Sequence, residues 1–204
     1  MGTGRAARVP GVEVLGTVVR LQVQRSRLKL GERGARRYDP APLREVEALE
    51  IGPRGVLGLV PGEEPVIDVH NADHPDTRNV KLANGLSLLP RSHYGLMRQR
   101  FGAHLHDGLA GENLLLATEG PLTEDDLGVS VVLETADGGV LELSDVVVAA
   151  PCVEFTRFAL GRSYLAVDDD ILQAMPALDD GVRGFYATAR GTGRVTRGSR
   201  LLRR

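Results

Sequence analysis

Three stretches of the chain carry residues able to do chemistry. The single cysteine, Cys152, ends the run 146–152 (VVVAAPC), just past an apolar segment and ahead of a stretch with helical character. A thiol at a helix N-terminus has its thiolate stabilised by the helix dipole, and Arg157 follows about one and a half turns later. That arrangement suits a nucleophile or a soft metal ligand; a buried small hydrophobe is the alternative for a lone cysteine. In 108–114 (GLAGENL), two glycines precede a Glu–Asn pair and an apolar segment. This reads as a tight turn delivering Glu112 and Asn113 to the mouth of a strand. Gly111 permits close approach to a ligand, and consecutive amides can cradle an anion. A purely structural turn, with Glu112 and Asn113 satisfying loop amides, is equally open. The third stretch, 68–74 (DVHNADH), has the imidazoles and carboxylates of a divalent-metal site. It lies in a loop with no cysteine pair or helical His–Glu motif, so hydrogen bonding within the loop is the favoured reading.

These residues need elements to hold them. Segments 12–23 and 43–51 are β-branched or alternate apolar with charged residues, and read as strands. Residues 54–58 read as a turn-rich connection after the Gly52–Pro53 break, and 65–69 as a short strand entering the polar loop 71–79. A strand at 85–89 leads into the best helix, 92–101, with Ser92 as N-cap, Tyr94, Met97 and Phe101 on one face, and Gly102 as its stop. Further strands are expected at 113–117, 129–135 and 140–149. The last two flank Asp137–Gly138–Gly139, a hairpin signal. Residues 123–128 form a capped single turn. Short helices follow Cys152 through Leu160 and across 168–175, and strands at 185–189 and 195–202 close the chain. The apolar run 146–150 suggests that the 140–149 strand is central and covered on both faces. Many short strands with few helices predict a mainly β fold, a barrel with short peripheral helices.

The 204 residues suffice for one domain, expected over 11–204 behind a flexible basic tail at 1–10. Aromatic residues make up 4% of the chain and Trp is absent, so the core must be aliphatic. No apolar run approaches the roughly 20 residues of a membrane helix, and nothing apolar follows the first arginines as in a secretory signal. A lone cysteine excludes an internal disulfide and fits a reducing, cytoplasmic compartment. Residues 1–40 hold nine Lys or Arg against three acids, and 183–204 hold seven Arg and no acid. If the ends of the chain meet, they make a cationic face suited to a phosphate-bearing ligand or an acidic partner. Terminal arginines solvated on tails are the other reading.

The ordered set of Gly111–Glu112–Asn113, a strand, the turn 123–128, a strand ending in Pro151–Cys152, and the late stretch from Arg183 resembles a MOSC domain, the C-terminal domain type of molybdenum cofactor sulfurases. The resemblance runs from about Leu43 to Leu202. It implies a β-barrel and a cysteine that ligates molybdenum or carries sulfur, so Cys152 becomes the catalytic and metal-ligating residue. Gly111, Glu112 and Asn113 match the family turn; Arg183, Gly184 and Tyr186 match the late Arg-Gly-aromatic element. With Arg78, Arg157 and Arg183 as candidates for the pterin phosphate, the implied cofactor is the molybdenum cofactor. The chain departs from many relatives in having Gly58–Leu59 where they have Gly–Asp, and in the His-rich loop. The implied activity is reduction of N-hydroxylated small molecules. The alternatives are a carrier holding a persulfide on Cys152 and a cofactor-free MOSC-like protein of a specialised small-molecule pathway. Pyridoxal phosphate is a family-level association only, since no desulfurase domain precedes the region. The chain has no flavin, haem or iron–sulfur motif, so the expected partner is an electron-donor or sulfur-donor protein, not a nucleic acid or a membrane.

Overall fold

The computed structural model describes residues 12–32, 34–79, 81–162 and 167–203; the basic tail expected at 1–10 lies outside them. Its first half contributes β1 (Glu13–Gln24), β2 (Lys29–Leu30), β3 (Arg37–Tyr38), β4 (Leu43–Glu45), β5 (Ala48–Gly52), β6 (Gly55–Leu59), β7 (Val66–Ile67), β8 (Leu86–Pro90) and helix α1 (Arg91–Phe101). Then come β9 (Leu114–Ala117), α2 (Glu124–Leu127), β10 (Ser130–Glu134), β11 (Val140–Val148), α3 (Val153–Ala159), α4 (Asp169–Ala174), β12 (Phe185–Ala189), β13 (Gly193–Thr196) and β14 (Arg200–Arg203). The order β14-β10-β11-β12-β8-β9-β1 closes through pairing of β1 with β14 into a seven-strand, MOSC-type barrel, with four short helices among the described residues. Its neighbours run antiparallel except β8 and β9, which are parallel and joined by α1. No helix among the described residues is long and apolar enough to cross a membrane.

Strand β1 organises this frame because it is long enough to serve three partners. Its first part pairs with β14, its middle with β9 and its end with β4, with register shifts within the first two pairings. The first and last described strands therefore meet: Val18 N–H donates to Ser199 O, and Val18 and Val195 share one core. That core is aliphatic, as the composition demands, with Phe185 its one aromatic member. The other buried aromatics gather in a second cluster under α1 and α3, where Tyr38, Tyr94 and Phe155 pack with Met97 and Leu105.

Several local expectations are corrected. Segment 43–51 is two strands: the chain bends at Val46 and Glu47, whose N–H groups donate to Leu21 O and Leu59 O, and β5 joins a second sheet, β13-β5-β6-β7. The glycines of 54–58 read as turn formers, yet they lie in strand β6. A Cβ on Gly58 would sit 2.9 Å from methyls of both Val23 and Val46, so glycine is there for close packing. Segment 195–202 likewise divides into β13 and β14, which serve different sheets. Strand β11 is central, paired with β10 and β12, but it is covered on one face only: Val146 is buried and Val147 is 42% exposed. Ser92 is not the N-cap of α1. Pro90 holds that position, and Ser92 Oγ donates to Gly120 O instead. By contrast, the turn at 123–128 is capped as read, with Thr123 and Asp126 forming a reciprocal capping box.

Candidate active-site cavity

A cavity of about 270 Å³ opens between the barrel mouth and the β2–β3 segment. Five basic residues line it, Arg27, Lys29, Arg36, Arg78 and Arg183, against Asp76 and Glu112. Two basic residues are engaged elsewhere: Lys29 pairs with Glu154 at 3.3 Å, and Arg27 donates to Asp76 O. The guanidinium of Arg183 stacks 4.9 Å over the Phe155 ring, and its Nε is buried with no hydrogen-bond partner. Burial works against its charge, but neighbouring Cys152, Tyr186 and Tyr38 outweigh burial and hold its pKa above the ordinary arginine value. A buried N–H donor without an acceptor costs roughly 1–3 kcal/mol.

The Gly-Glu-Asn turn sits where its glycine is required. Gly111 has φ +88°, and a Cβ on it would lie 2.8 Å from Leu28 and 2.9 Å from Gln24 Nε2. Gln24 donates to Gly111 O at 2.7 Å, pinning the turn to β1. Glu112 lines the cavity yet is 3% exposed. Burial lifts its carboxyl from 4.5 to about 7, opposed by its own N–H, by the Tyr94 hydroxyl and by Arg20. Tyr94 donates to both carboxyl oxygens at 3.0 and 3.2 Å and accepts from Ala110 N–H. Asn113 points away from the cavity into the protein. It accepts from Ser87 N–H and Oγ, and its Nδ2 donates to Gln22 O and Asp68 Oδ2.

Cys152 is the N-cap residue of α3, as read, and is half-buried against the aromatic cluster. It does not line the cavity, but it interacts electrostatically with Arg183, which does, and with Glu154. Burial raises the Glu154 carboxyl, but its own N–H, Lys29 and the Cys152 thiol outweigh that and hold it below the ordinary range. Arg157 is buried and donates to Arg36 O at 2.8 Å, so it supports the cavity wall instead of facing the ligand. Arg78 is exposed at the rim.

The His-rich loop divides in function. His74 is spent on the loop: its Nε2 donates to Arg25 O and its Nδ1 accepts from Asp76 N–H. His70 instead lines the cavity, with Nδ1 3.0 Å from the fully buried Asp68. Sequence reasoning also missed Arg27, Lys29, Arg36 and Tyr38. The uneven charge pointed toward them, since basic residues from the N-terminal part of the chain meet Arg183 here. The last arginines do not join this face: Arg197, Arg200 and Arg203 pair with Glu45, Glu134 and Glu13.

No family model and no curated protein matches the chain. Among solved structures, the YuaD protein from Bacillus subtilis is similar over 94% of this chain and 96% of its own, at 11% identity and a TM-score of 0.55. YiiM from Escherichia coli is 18% identical over 78% of this chain and 63% of its own, with a TM-score of 0.48. At such identity the likeness to YuaD is one of fold, and the fold is a MOSC-like barrel.

Proposed function

We propose that the cavity holds the phosphate-bearing pterin of the molybdenum cofactor, that Cys152 is its thiolate ligand, and that the protein reduces N-hydroxylated small molecules. The observation that carries this reading is Arg183, a guanidinium that lines a cation-rich cavity and is electrostatically coupled to the only thiol of the chain. The donor set fits. The fork of Arg183 suits a phosphate, and Arg36 and Arg78 have no side-chain partner among the described residues. A half-buried thiol at a helix N-terminus is a soft donor for a redox metal. When bound, the cofactor supplies two-electron reduction at the metal. Cleaving an N–O bond with two electrons consumes two protons and yields an amine and water. Glu112, titrating at about 7, can hold one of those protons at neutral pH. The electrons must come from a donor protein.

Elemental analysis of protein made in a host that synthesises the cofactor tests this. Stoichiometric molybdenum is expected in the wild type and none in Cys152→Ser. A second reading, a persulfide carrier, is favoured by one observation: Cys152 does not line the cavity. Its sign is one added sulfur on the Cys152 peptide by mass spectrometry. Neither molybdenum nor added sulfur in the wild type would overturn both readings and leave a cofactor-free MOSC-like protein.

A further inference from the structure

His70 is the one imidazole of the 70–74 loop that faces the cavity, and its surroundings fix how it can act. Asp68 Oδ2 accepts from Gln24 N–H at 2.7 Å and from Asn113 Nδ2 at 2.9 Å. Asp68 Oδ1 accepts from His70 N–H at 2.9 Å and lies 3.0 Å from His70 Nδ1. With three donors already on the buried carboxylate, an ionised Asp68 takes its fourth contact from an Nδ1–H of His70. In the neutral ring, Nε2 then carries the lone pair. His70 lines the cavity, and its Nε2 has no hydrogen-bond partner among the described residues. This is the base–orienter arrangement of a proton-transfer dyad, with a buried carboxylate setting the tautomer.

We propose that Asp68 and His70 form a proton-transfer dyad serving this cavity, for a small anionic ligand that carries an acidic N–H or O–H. Nε2 takes a proton from the bound ligand or returns one to it, while Asp68 stays ionised. Asn113 and Gln24 are positioning residues, since each holds the face of Asp68 turned away from His70. The cations on the same cavity wall that have no acidic partner among the described residues, Arg36, Arg78 and Arg183, supply the preference for an anion, with Arg27 and Lys29 beside them and Asp76 and Glu112 as the acids. The inference shares the cavity with the cofactor reading above, yet it rests on no metal and no thiol.

The test is magnetic resonance of the imidazole nitrogens in full-length protein carrying isotope-labelled histidine, with inorganic pyrophosphate as the probe. His70→Gln assigns the signal. At a pH where the ring is neutral, the expected form is Nδ1–H with a bare Nε2 whose signal moves on adding pyrophosphate. Losing the hydrogen bond at Nε2 should make His70→Gln bind pyrophosphate about tenfold more weakly. In Asp68→Asn, an oxygen kept toward Gln24 and Asn113 turns the NH₂ toward Nδ1, at the loss of the His70 N–H contact, and the ring converts to Nε2–H. A wild-type ring already in the Nε2–H form, or a Nε2 signal that ignores pyrophosphate, overturns the proposal. Both readouts need only the wild type, so they decide the matter even if Asp68→Asn fails to fold. Molybdenum content of the same wild-type preparation is scored separately: metal present beside a failed dyad leaves the cofactor reading standing, and the reverse leaves the dyad.

Discussion

Replacing Glu112 by Gln should change how stability depends on pH, because burial makes this carboxyl costly to ionise. Its ordinary value is 4.5 and the folded protein raises it to about 7, chiefly by burial. Below about pH 4.5 the carboxyl is protonated in both folded and unfolded chains and contributes nothing pH-dependent. Between about 4.5 and 7 the unfolded chain ionises first, so stability falls as pH rises, and above about 7 the full cost is present. That interval, at about 1.4 kcal/mol per pH unit, amounts to about 3 kcal/mol. The carboxamide that replaces it cannot ionise, although it can still accept from Tyr94. The measurement is the difference in unfolding free energy between Glu112→Gln and wild type, from urea melts spanning about pH 4.5 to 8. Taking the difference cancels every other titrating group, and any fixed cost of the amide shifts it without changing its slope. The variant should gain on the wild type by about 3 kcal/mol across that span. A flat difference would refute the account of Glu112 as a buried, protonated acid and remove it as a proton donor.

Two further outcomes follow from the same wall of the cavity. Asn113→Ala takes a donor from buried Asp68 and an acceptor from Ser87 N–H, so it should cost about 3–5 kcal/mol, read in chemical denaturation. Arg183→Lys removes the planar fork and the stack on Phe155 while keeping the charge. It should weaken pyrophosphate binding about tenfold or more by calorimetry, and unchanged affinity would mean that a point charge suffices.

The parts of this fold legible in the sequence are those whose cause is local. The 123–128 turn is capped by its own Thr123 and Asp126, strand 185–189 is read residue for residue, and the helix expected at 92–101 runs Arg91–Phe101. What escaped reading has a distant cause. Gly58 marks the approach of Val23 and Val46, and nothing adjacent in the sequence says so. The 43–51 and 195–202 segments each look continuous because alternation persists through the residues where the chain changes sheets. The site divides the same way. Glu112 and Cys152 were visible as residue types after a turn and before a helix, and Arg183 through the late Arg-Gly-aromatic element. Asp68 and His70 looked like loop polarity because the groups that fix them, Gln24 and Asn113, lie 44 and 45 residues away.

The closure of β1 against β14 also sets the order in which the barrel can be completed. Glu13 is paired with Arg203, so the seam joins the two extremes of the described chain. During synthesis, β1 and β10 both wait with unsatisfied edges, because the strand that fills the gap between them is the last of the barrel strands to be made. Their apolar residues and free backbone groups are open to other chains throughout that interval. Such long-range pairing is intrinsically slow, since loop-closure entropy is lost before the seam contributes any hydrogen bonds. The vulnerability of this protein to aggregation is thus concentrated in the moments before residues 200–203 dock.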